Sequence, residues 1–300
     1  YHRSVAHPKV MPEETHEPAP LGAGDPRYSY SQIEMMANRL KPYVETQPVQ
    51  FDRMRLRRAA TMTKNYLDSI IGTHKSPNLT FHTACELLPR DTSCGPLVPG
   101  LKGDYYDEDT STYTGPLLAR LESVWDTASR GKAVENSYKL ALKDELLTFA
   151  KCKEGKRRLL WGCDAGVTCI ANAVLKPVAM RLQDTIPLHP VMVGVNMDSA
   201  IPGLMLKAMD GRVMYNVDYK AWDSTMQRAV VALAVQTFAS WAEDTPLTSS
   251  VTTTLSAPAV GYVNDVRLTT RSGLPSGMPF TSQINSICHM ITFAYSVLTA

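Results

Sequence analysis

Asn216-Val217-Asp218-Tyr219-Lys220-Ala221-Trp222-Asp223-Ser224-Thr225 is the stretch on which the reading of this chain turns. It closes the short apolar run Val213 to Val217, which predicts a β-strand, and it leads into helical periodicity. A carboxylate at the end of a buried strand is held rigidly at the sheet edge. That placement suits a divalent cation such as Mg²⁺, which takes oxygen ligands in strict geometry. Asp218 stands at that position, and Asp223, past a turn, faces the same cleft from the mouth of the next helix. A plainer reading fits the same spacing: Asp223 or Ser224 caps the helix and Asp218 is a strand-end turn residue. Spacing alone leaves both open.

Working outward, Ser272-Gly273-Leu274-Pro275-Ser276-Gly277-Met278-Pro279-Phe280 is a tight loop built on two glycines and two prolines, followed by a helix from Thr281. Thr281 and Asn285 lie four apart on one helix face, and Ser276 in the loop reaches toward that face. Three short hydrogen-bonding side chains are thus expected to converge. Upstream, Lys139, Lys143, Lys151, Lys153, Lys156, Arg157 and Arg158 face only Asp144, Glu145 and Glu154. A cationic segment running into the apolar strand Leu159-Leu160-Trp161 can neutralise a triphosphate or a nucleic-acid backbone, or it can be an ordinary solvated loop.

Bulk properties set the frame. The chain has 300 residues, 44% hydrophobic and 20% charged, with a net charge of +2. That is enough for one large domain or two medium ones, and any nucleic-acid contact must use locally concentrated charge. The six cysteines include no CxxC pair, which points to reduced structural thiols. Asn78-Leu79-Thr80 reads as a helix start with Thr80 as N-cap. No apolar run approaches the roughly 20 residues of a membrane span, and there is no signal peptide at the start. Tyr1 in place of an initiator methionine, and a helical pattern at Ala300 with no stop signal, read as the ends of an excised or processed piece.

The remaining expectations are coarse. Residues 1–30 form an extended arm. Helices run from Ser31 through Ile33, Met36 and Leu40 to Pro42, and from Met62 to Ile71 after the basic run Arg53, Arg55, Arg57 and Arg58. Residues 91–115 are loop, ending in an acidic tip. Pro116 opens a helix that Gly131 closes. A further helix carries Tyr138, Leu140 and Leu142. A strand at Arg158–Gly162 precedes a helix from Val167 to Leu182, and a long helix runs from Thr225 to Ala242. Val260–Val263 and Val266–Thr269, joined by Asn264-Asp265, form a β-hairpin.

In combination and order these segments resemble the RNA-dependent RNA polymerases of positive-strand RNA viruses, most closely those of caliciviruses. Val217-Asp218-Tyr219 through Thr225 resembles motif A, and Gly273 through Ser286 resembles motif B. Lys143-Asp144-Glu145-Leu146 through Lys156-Arg157-Arg158-Leu159-Leu160-Trp161-Gly162 resembles motif F, and Thr92-Ser93-Cys94-Gly95-Pro96 resembles the shorter motif G.

The resemblance implies an α+β right-hand polymerase fold, with mostly helical fingers and a partial palm sheet; the thumb and motif C onward lie outside these residues. Residues 1–60 would be an arm bridging fingers and thumb, 61–210 the fingers, and 211–300 a partial palm with a fingers insertion near 245–271. The implied activity is template-directed RNA synthesis by two-metal nucleotidyl transfer. Asp218 would ligate Mg²⁺ or Mn²⁺, aided by the Tyr219 carbonyl. Asp223, Ser276 and Asn285, supported by Thr281, would sense the ribose 2′-hydroxyl. Arg158 and Lys156 would contact the triphosphate, with Lys151 and Lys143 along its path, and Glu145 would hold a basic neighbour. Thr92, Ser93 and Gly95 would guide the template, and Gly277 would let its loop flex. RNA template and primer, ribonucleoside triphosphates and other viral replication proteins are the implied partners, in the host cytoplasm at membrane-associated replication complexes.

The departures from the family pattern matter too. No Gly-Asp-Asp of motif C is present; Gly103-Asp104-Tyr105 has the wrong context. The chain alone is therefore expected to be inactive. Two rivals remain: a reverse transcriptase, against which Asp223, Ser276 and Asn285 argue, and a non-catalytic RNA-binding or scaffold segment of a viral polyprotein.

Overall fold

The structure is a computed structural model that describes residues 17–18, 30–196, 198–199, 201–211, 218–264 and 266–300. It divides into two compact units, one formed by Tyr1–Lys41 with Ala141–Leu160 and the other by Pro42–Leu140 with Trp161–Ala300.

The first elements are the two-residue strand β1 (Glu17–Pro18) and helix α1 (Gln32–Glu45). Helix α1 runs past Pro42, where the periodicity ended it, and buries Met35, Met36, Leu40 and Tyr43 while Ile33 is 79% exposed. Helix α2 (Arg53–Ile71) starts well before Met62, because Asp52 caps it by accepting from the Met54 and Arg55 N–H groups at 3.0 and 3.1 Å. The basic run is thus its first two turns. Thr80 caps α3 (Phe81–Glu86) as expected, accepting from Thr83 N–H at 3.3 Å.

The loop that follows contains a single 3₁₀ turn, Lys102–Tyr105, and a small ribbon of β2 (Tyr106–Asp107) and β3 (Thr112–Tyr113) at its acidic tip. Helix α4 (Gly115–Ser129) carries Pro116 in its first turn, and Gly131 beyond it adopts φ +75°.

Tyr138, Leu140 and Leu142 lie on a strand, β4 (Ser137–Leu142), and not on the expected helix. All three are buried, and they alternate with exposed Lys139 and Ala141. That is the period of two of a pleated strand. Strand β5 (Leu146–Leu147) pairs antiparallel with β1. Thr148 caps the short helix α5 (Phe149–Lys153), and β6 (Leu159–Cys163) is the strand read one residue earlier.

Helix α6 (Ala165–Asp184) is long and apolar enough to cross a membrane, but 67% of its apolar stretch is buried inside the protein. It is a core helix, packed against α3 and α4. Helix α7 (Ile201–Met209) had no sequence signal. The strand read at Val213–Val217 lies outside the described residues.

One long helix was expected from Thr225 to Ala242. The structure has two, α8 (Trp222–Thr225) and α9 (Arg228–Ala239), because Met226 and Gln227 turn extended between them, with ψ 128° and 132°. Helix α10 (Pro246–Ser256) precedes the expected hairpin of β7 (Val260–Val263) and β8 (Val266–Thr269), whose register pairs Val260 with Thr269. Helix α11 (Thr281–Val297) closes the chain, capped at Leu298, so Ala300 lies past its end.

The main sheet has the order β6-β4-β7-β8, with β4 parallel to β7 and β7 antiparallel to β8. On the helical side, α11 packs on α2 and α9, and α9 on α10. This packing sets the loop before α11 against the turn before α9. All six cysteines are free and buried.

Candidate functional site

Asp218 and Tyr219 are exposed at the start of a sharp turn. Ala221 adopts the left-handed conformation at φ 55°, and its carbonyl accepts from the Ser224 and Thr225 hydroxyls at 3.1 and 3.0 Å. These bonds lock the one-turn helix α8, so Trp222 and Asp223 project from a fixed frame.

The loop 272–280 is clipped to that frame by three bonds. Gly273 N–H donates to the Met226 carbonyl at 2.7 Å and Leu274 N–H to the Asp223 carbonyl at 2.7 Å. The Ser272 hydroxyl bonds to the Ser224 carbonyl at 3.0 Å and the Pro42 carbonyl at 3.2 Å. Gly273, at φ +90°, also packs so tightly on the Tyr43 ring that a side chain would not fit. Burial, and then the charge of Asp223, push the Tyr43 phenol well above its ordinary range, so it stays protonated.

Across the cleft, Asn285 on α11 reaches the turn. Its Nδ2 donates to Asp223 Oδ1 at 3.2 Å, and its Oδ1 accepts from Trp222 Nε1 at 3.0 Å. Asp223 therefore does not cap its helix; its carboxylate is tied to α11. One turn further along α11, His289 Nε2 lies 3.2 Å from the Tyr219 hydroxyl.

The expected convergence of Ser276, Thr281 and Asn285 holds only for Asn285. The Thr281 hydroxyl bonds to the Pro275 and Met278 carbonyls at 3.1 and 2.5 Å, fastening its own loop, and Ser276 is exposed at the loop tip. Gly277 is required by space, since a Cβ there would overlap the Trp161 carbonyl oxygen. Trp222, Ser272, Tyr43 and His289 were not singled out from sequence. Only His289 had a usable signal: it lies four residues beyond Asn285 on the same helix face.

From Lys143 to Arg158 the cationic segment lies in the smaller unit. Arg158 Nε donates to Glu145 Oε2 at 2.6 Å and Arg158 N–H to Glu145 Oε1 at 3.3 Å. The hydrogen bond from Arg158 holds the Glu145 carboxyl below its usual range. Glu145 thus holds a basic neighbour, as expected. Arg157 is 2% exposed, and its guanidinium donates to the Lys143 carbonyl, at 3.1 Å from Nη2, and to Asp144. It is an internal strut of the segment. Lys156 pairs with Glu154, Lys151 is exposed on α5, and Lys143 is half-buried.

The loop at residues 92–96 is organised by a residue the sequence did not flag. Lys102 is 4% exposed, and its ammonium donates to Thr92 Oγ1 at 2.7 Å and the Ser93 carbonyl at 2.6 Å. Burial lowers the Lys102 pKa. Gly95, at φ +104°, packs on Asp164, where a Cβ would stand 2.6 Å from the Asp164 Cα. Asp164 is fully buried, caps α6 through Gly166 and Val167 N–H, and pairs with Arg120 at 3.2 Å.

Residues 4–300 match the family described as viral RNA-dependent RNA polymerase. The chain belongs to this family. The genome polyprotein of feline calicivirus (strain Cat/United States/Urbana/1960) is 36% identical over 301 residues, 99% of this chain and 17% of the polyprotein. That of bovine enteric calicivirus NB is 38% identical over 286 residues, 94% of this chain and 13% of the polyprotein. The chain thus spans less than a fifth of these relatives. A solved Sicinivirus 3Dpol RNA-dependent RNA polymerase has the same fold, with a TM-score of 0.72 at 19% identity over 95% of this chain and 61% of that one.

In this viral polymerase family member, the turn after Asp218 and helix α11 meet through Asp223 and Asn285. Among the described residues the donor set for a metal is incomplete. Asp218 offers the hard oxygen that Mg²⁺ or Mn²⁺ takes, but no group of three His, Cys, Asp or Glu side chains capable of holding an ion occurs among the described residues.

Proposed function

We propose that this chain carries the nucleotide-selecting part of a polymerase that joins ribonucleoside triphosphates on an RNA template during viral genome replication. The Asp223–Asn285 hydrogen bond, which ties the turn after Asp218 to α11, carries this reading. It presents a carboxylate and an amide together, the acceptor and donor that a ribose 2′-hydroxyl requires.

In this reading Asp218 is the catalytic carboxylate, one ligand of a Mg²⁺ or Mn²⁺ ion, with the Tyr219 carbonyl beside it. The bound ion would supply charge neutralisation at the reacting phosphate, and its remaining ligands would come from outside the described residues. Asp223 and Asn285 read the sugar, with Ser276 at the exposed loop tip as the third member of the set. Thr281 fixes the loop that carries Ser276. Lys143, Lys151, Lys156 and Arg158 neutralise the triphosphate, with Arg158 aimed by Glu145. Thr92, Ser93, Gly95 and Gly277 line the template path as backbone. The polyprotein setting of the relatives supports partnership with other viral replication proteins, in membrane-associated complexes of the host cytoplasm.

The test uses the full-length polymerase that contains this chain. Asp218→Ala abolishes nucleotide incorporation while the melting temperature stays unchanged, because the residue is exposed. Asp223→Ala lowers the preference for ribonucleotides over 2′-deoxyribonucleotides. A native preference for deoxyribonucleotides, or full activity of the Asp218 variant, overturns the reading.

The incomplete donor set among the described residues favours a second reading for the 300 residues taken alone, an RNA-binding segment without incorporation of its own. Primer extension by the purified chain would exclude it.

A further inference from the structure

The Asn285 amide has two orientations of the same shape, because its oxygen and nitrogen are alike in size. Here the surroundings allow only one. The Trp222 indole N–H can only donate, so the atom facing it at 3.0 Å is Oδ1. The Asp223 carboxylate can only accept, so the atom facing it at 3.2 Å is Nδ2. Two adjacent residues of one short helix therefore grip one amide from both ends. Reversing the amide would set donor against donor and acceptor against acceptor.

Trp222 is itself well held. Its ring lies 4.4 Å from the Tyr219 ring, centre to centre, and 6.0 Å from His289, which is in turn paired with the Tyr219 hydroxyl. The left-handed Ala221 and the Ser224 and Thr225 hydroxyls fix the backbone beneath it. The indole contact at 3.0 Å and the carboxylate contact at 3.2 Å each dictate the same orientation of the amide.

We infer that Trp222 is a positioning residue for sugar selection: its indole N–H orients the Asn285 amide toward Asp223 Oδ1, leaving Asp223 Oδ2 to accept from the ribose hydroxyl. Trp222 touches no substrate in this scheme and acts through Asn285. The inference rests on the ribose-reading role proposed above for Asp223 and Asn285. Without the indole, Asn285 is held by the Asp223 bond alone, and its amide can swing about that contact. Such a swing would shift Asp223 from its place beside the sugar.

The experiment replaces Trp222 in the full-length polymerase with 3-benzothienylalanine, in which sulfur stands where the N–H was, so that packing is kept and one hydrogen bond is lost. Trp222→Phe serves as the genetically encoded companion. The expected result is a fall in kcat/KM for a ribonucleoside triphosphate of roughly 3- to 10-fold, the equivalent of one net hydrogen bond, with kcat/KM for its 2′-deoxy analogue and the melting temperature unchanged. An equal loss for both sugars makes Trp222 merely structural and overturns the inference. So does an unchanged sugar ratio in the isostere when Asn285→Ala and Asp223→Ala lower that ratio. If those two variants leave the ratio unchanged, the ribose-reading role itself falls, which separates the two failures.

Discussion

Gly277 lies against Trp161 so closely that a Cβ at 277 would overlap the Trp161 carbonyl oxygen and stand 2.8 Å from its carbon. The neighbour is backbone of strand β6 and cannot swing away. The loop before α11 is thus seated on the sheet through a glycine. Gly277→Ala is expected to destabilise the protein by about 3 kcal/mol or more, as a steric clash with a fixed backbone does. Gly203 provides the control: it lies in α7 with nothing within 4 Å of an added Cβ. Gly203→Ala should be neutral or stabilise by about 0.5–1 kcal/mol. Thermal melting of the two variants checks both signs.

The Arg120–Asp164 pair stands behind the loop at residues 92–96, and its carboxylate is fully buried. Removing one partner of such a pair strands a charge. Arg120→Met should cost about 3 kcal/mol. Adding Asp164→Asn removes the stranded charge while leaving an oxygen to cap α6. The double variant should therefore lose less than the sum of the two single ones. Denaturant unfolding of the four proteins in the cycle measures the coupling, and strict additivity would dissolve the pair.

His189 is 2% exposed and satisfied only as the neutral ring. Its Nδ1 accepts from Val191 N–H at 3.2 Å, and its Nε2 donates to the Leu182 carbonyl at 2.8 Å. Burial lowers its pKa below the ordinary 6.5. The folded state then binds fewer protons than the unfolded one as pH falls below about 6.5, so stability is lost on acidification from there. His189→Gln should flatten the stability-versus-pH curve between about pH 6.5 and 5, whatever it costs at pH 8. Parallel slopes in the two proteins would place the proton elsewhere.

Glu145 aims Arg158 through a bond at 2.6 Å, and the Arg158 side chain is 69% exposed beyond it. If Arg158 meets the triphosphate, Glu145→Gln should raise the KM for nucleotide about 3- to 10-fold with kcat nearly unchanged. Steady-state nucleotide titration of the full-length polymerase reads this. A fall in KM would mean that Glu145 competes with the substrate for the guanidinium.

Local chemistry was legible in the sequence wherever cause and effect lie within a few residues. Thr80 before Phe81, the hairpin around Asn264, and the glycine and proline loop before Thr281 are short-range signals, and the structure places each as read. The spacing of Asp218 and Asp223 alone left a plain cap and turn open, and the order of four motifs resembling a polymerase family nominated the site. The expected helix at Tyr138, Leu140 and Leu142 was a misreading of the period, since their spacing of two is that of a strand and not of a helix. Periodicity also failed at Met226 and Gln227, where no glycine or proline marks the break but the backbone turns extended.

The sequence by itself determined which residue types were available for chemistry and which local turns would present them. Tertiary structure alone decided which of them meet. Asn285 finds Asp223 across 62 residues of chain, Lys102 leaves water to hold Thr92 and Ser93, and Gly277 is required by Trp161. Hydrogen-bond partners and excluded volume are set by packing between distant segments, whereas propensity and spacing act only along the chain.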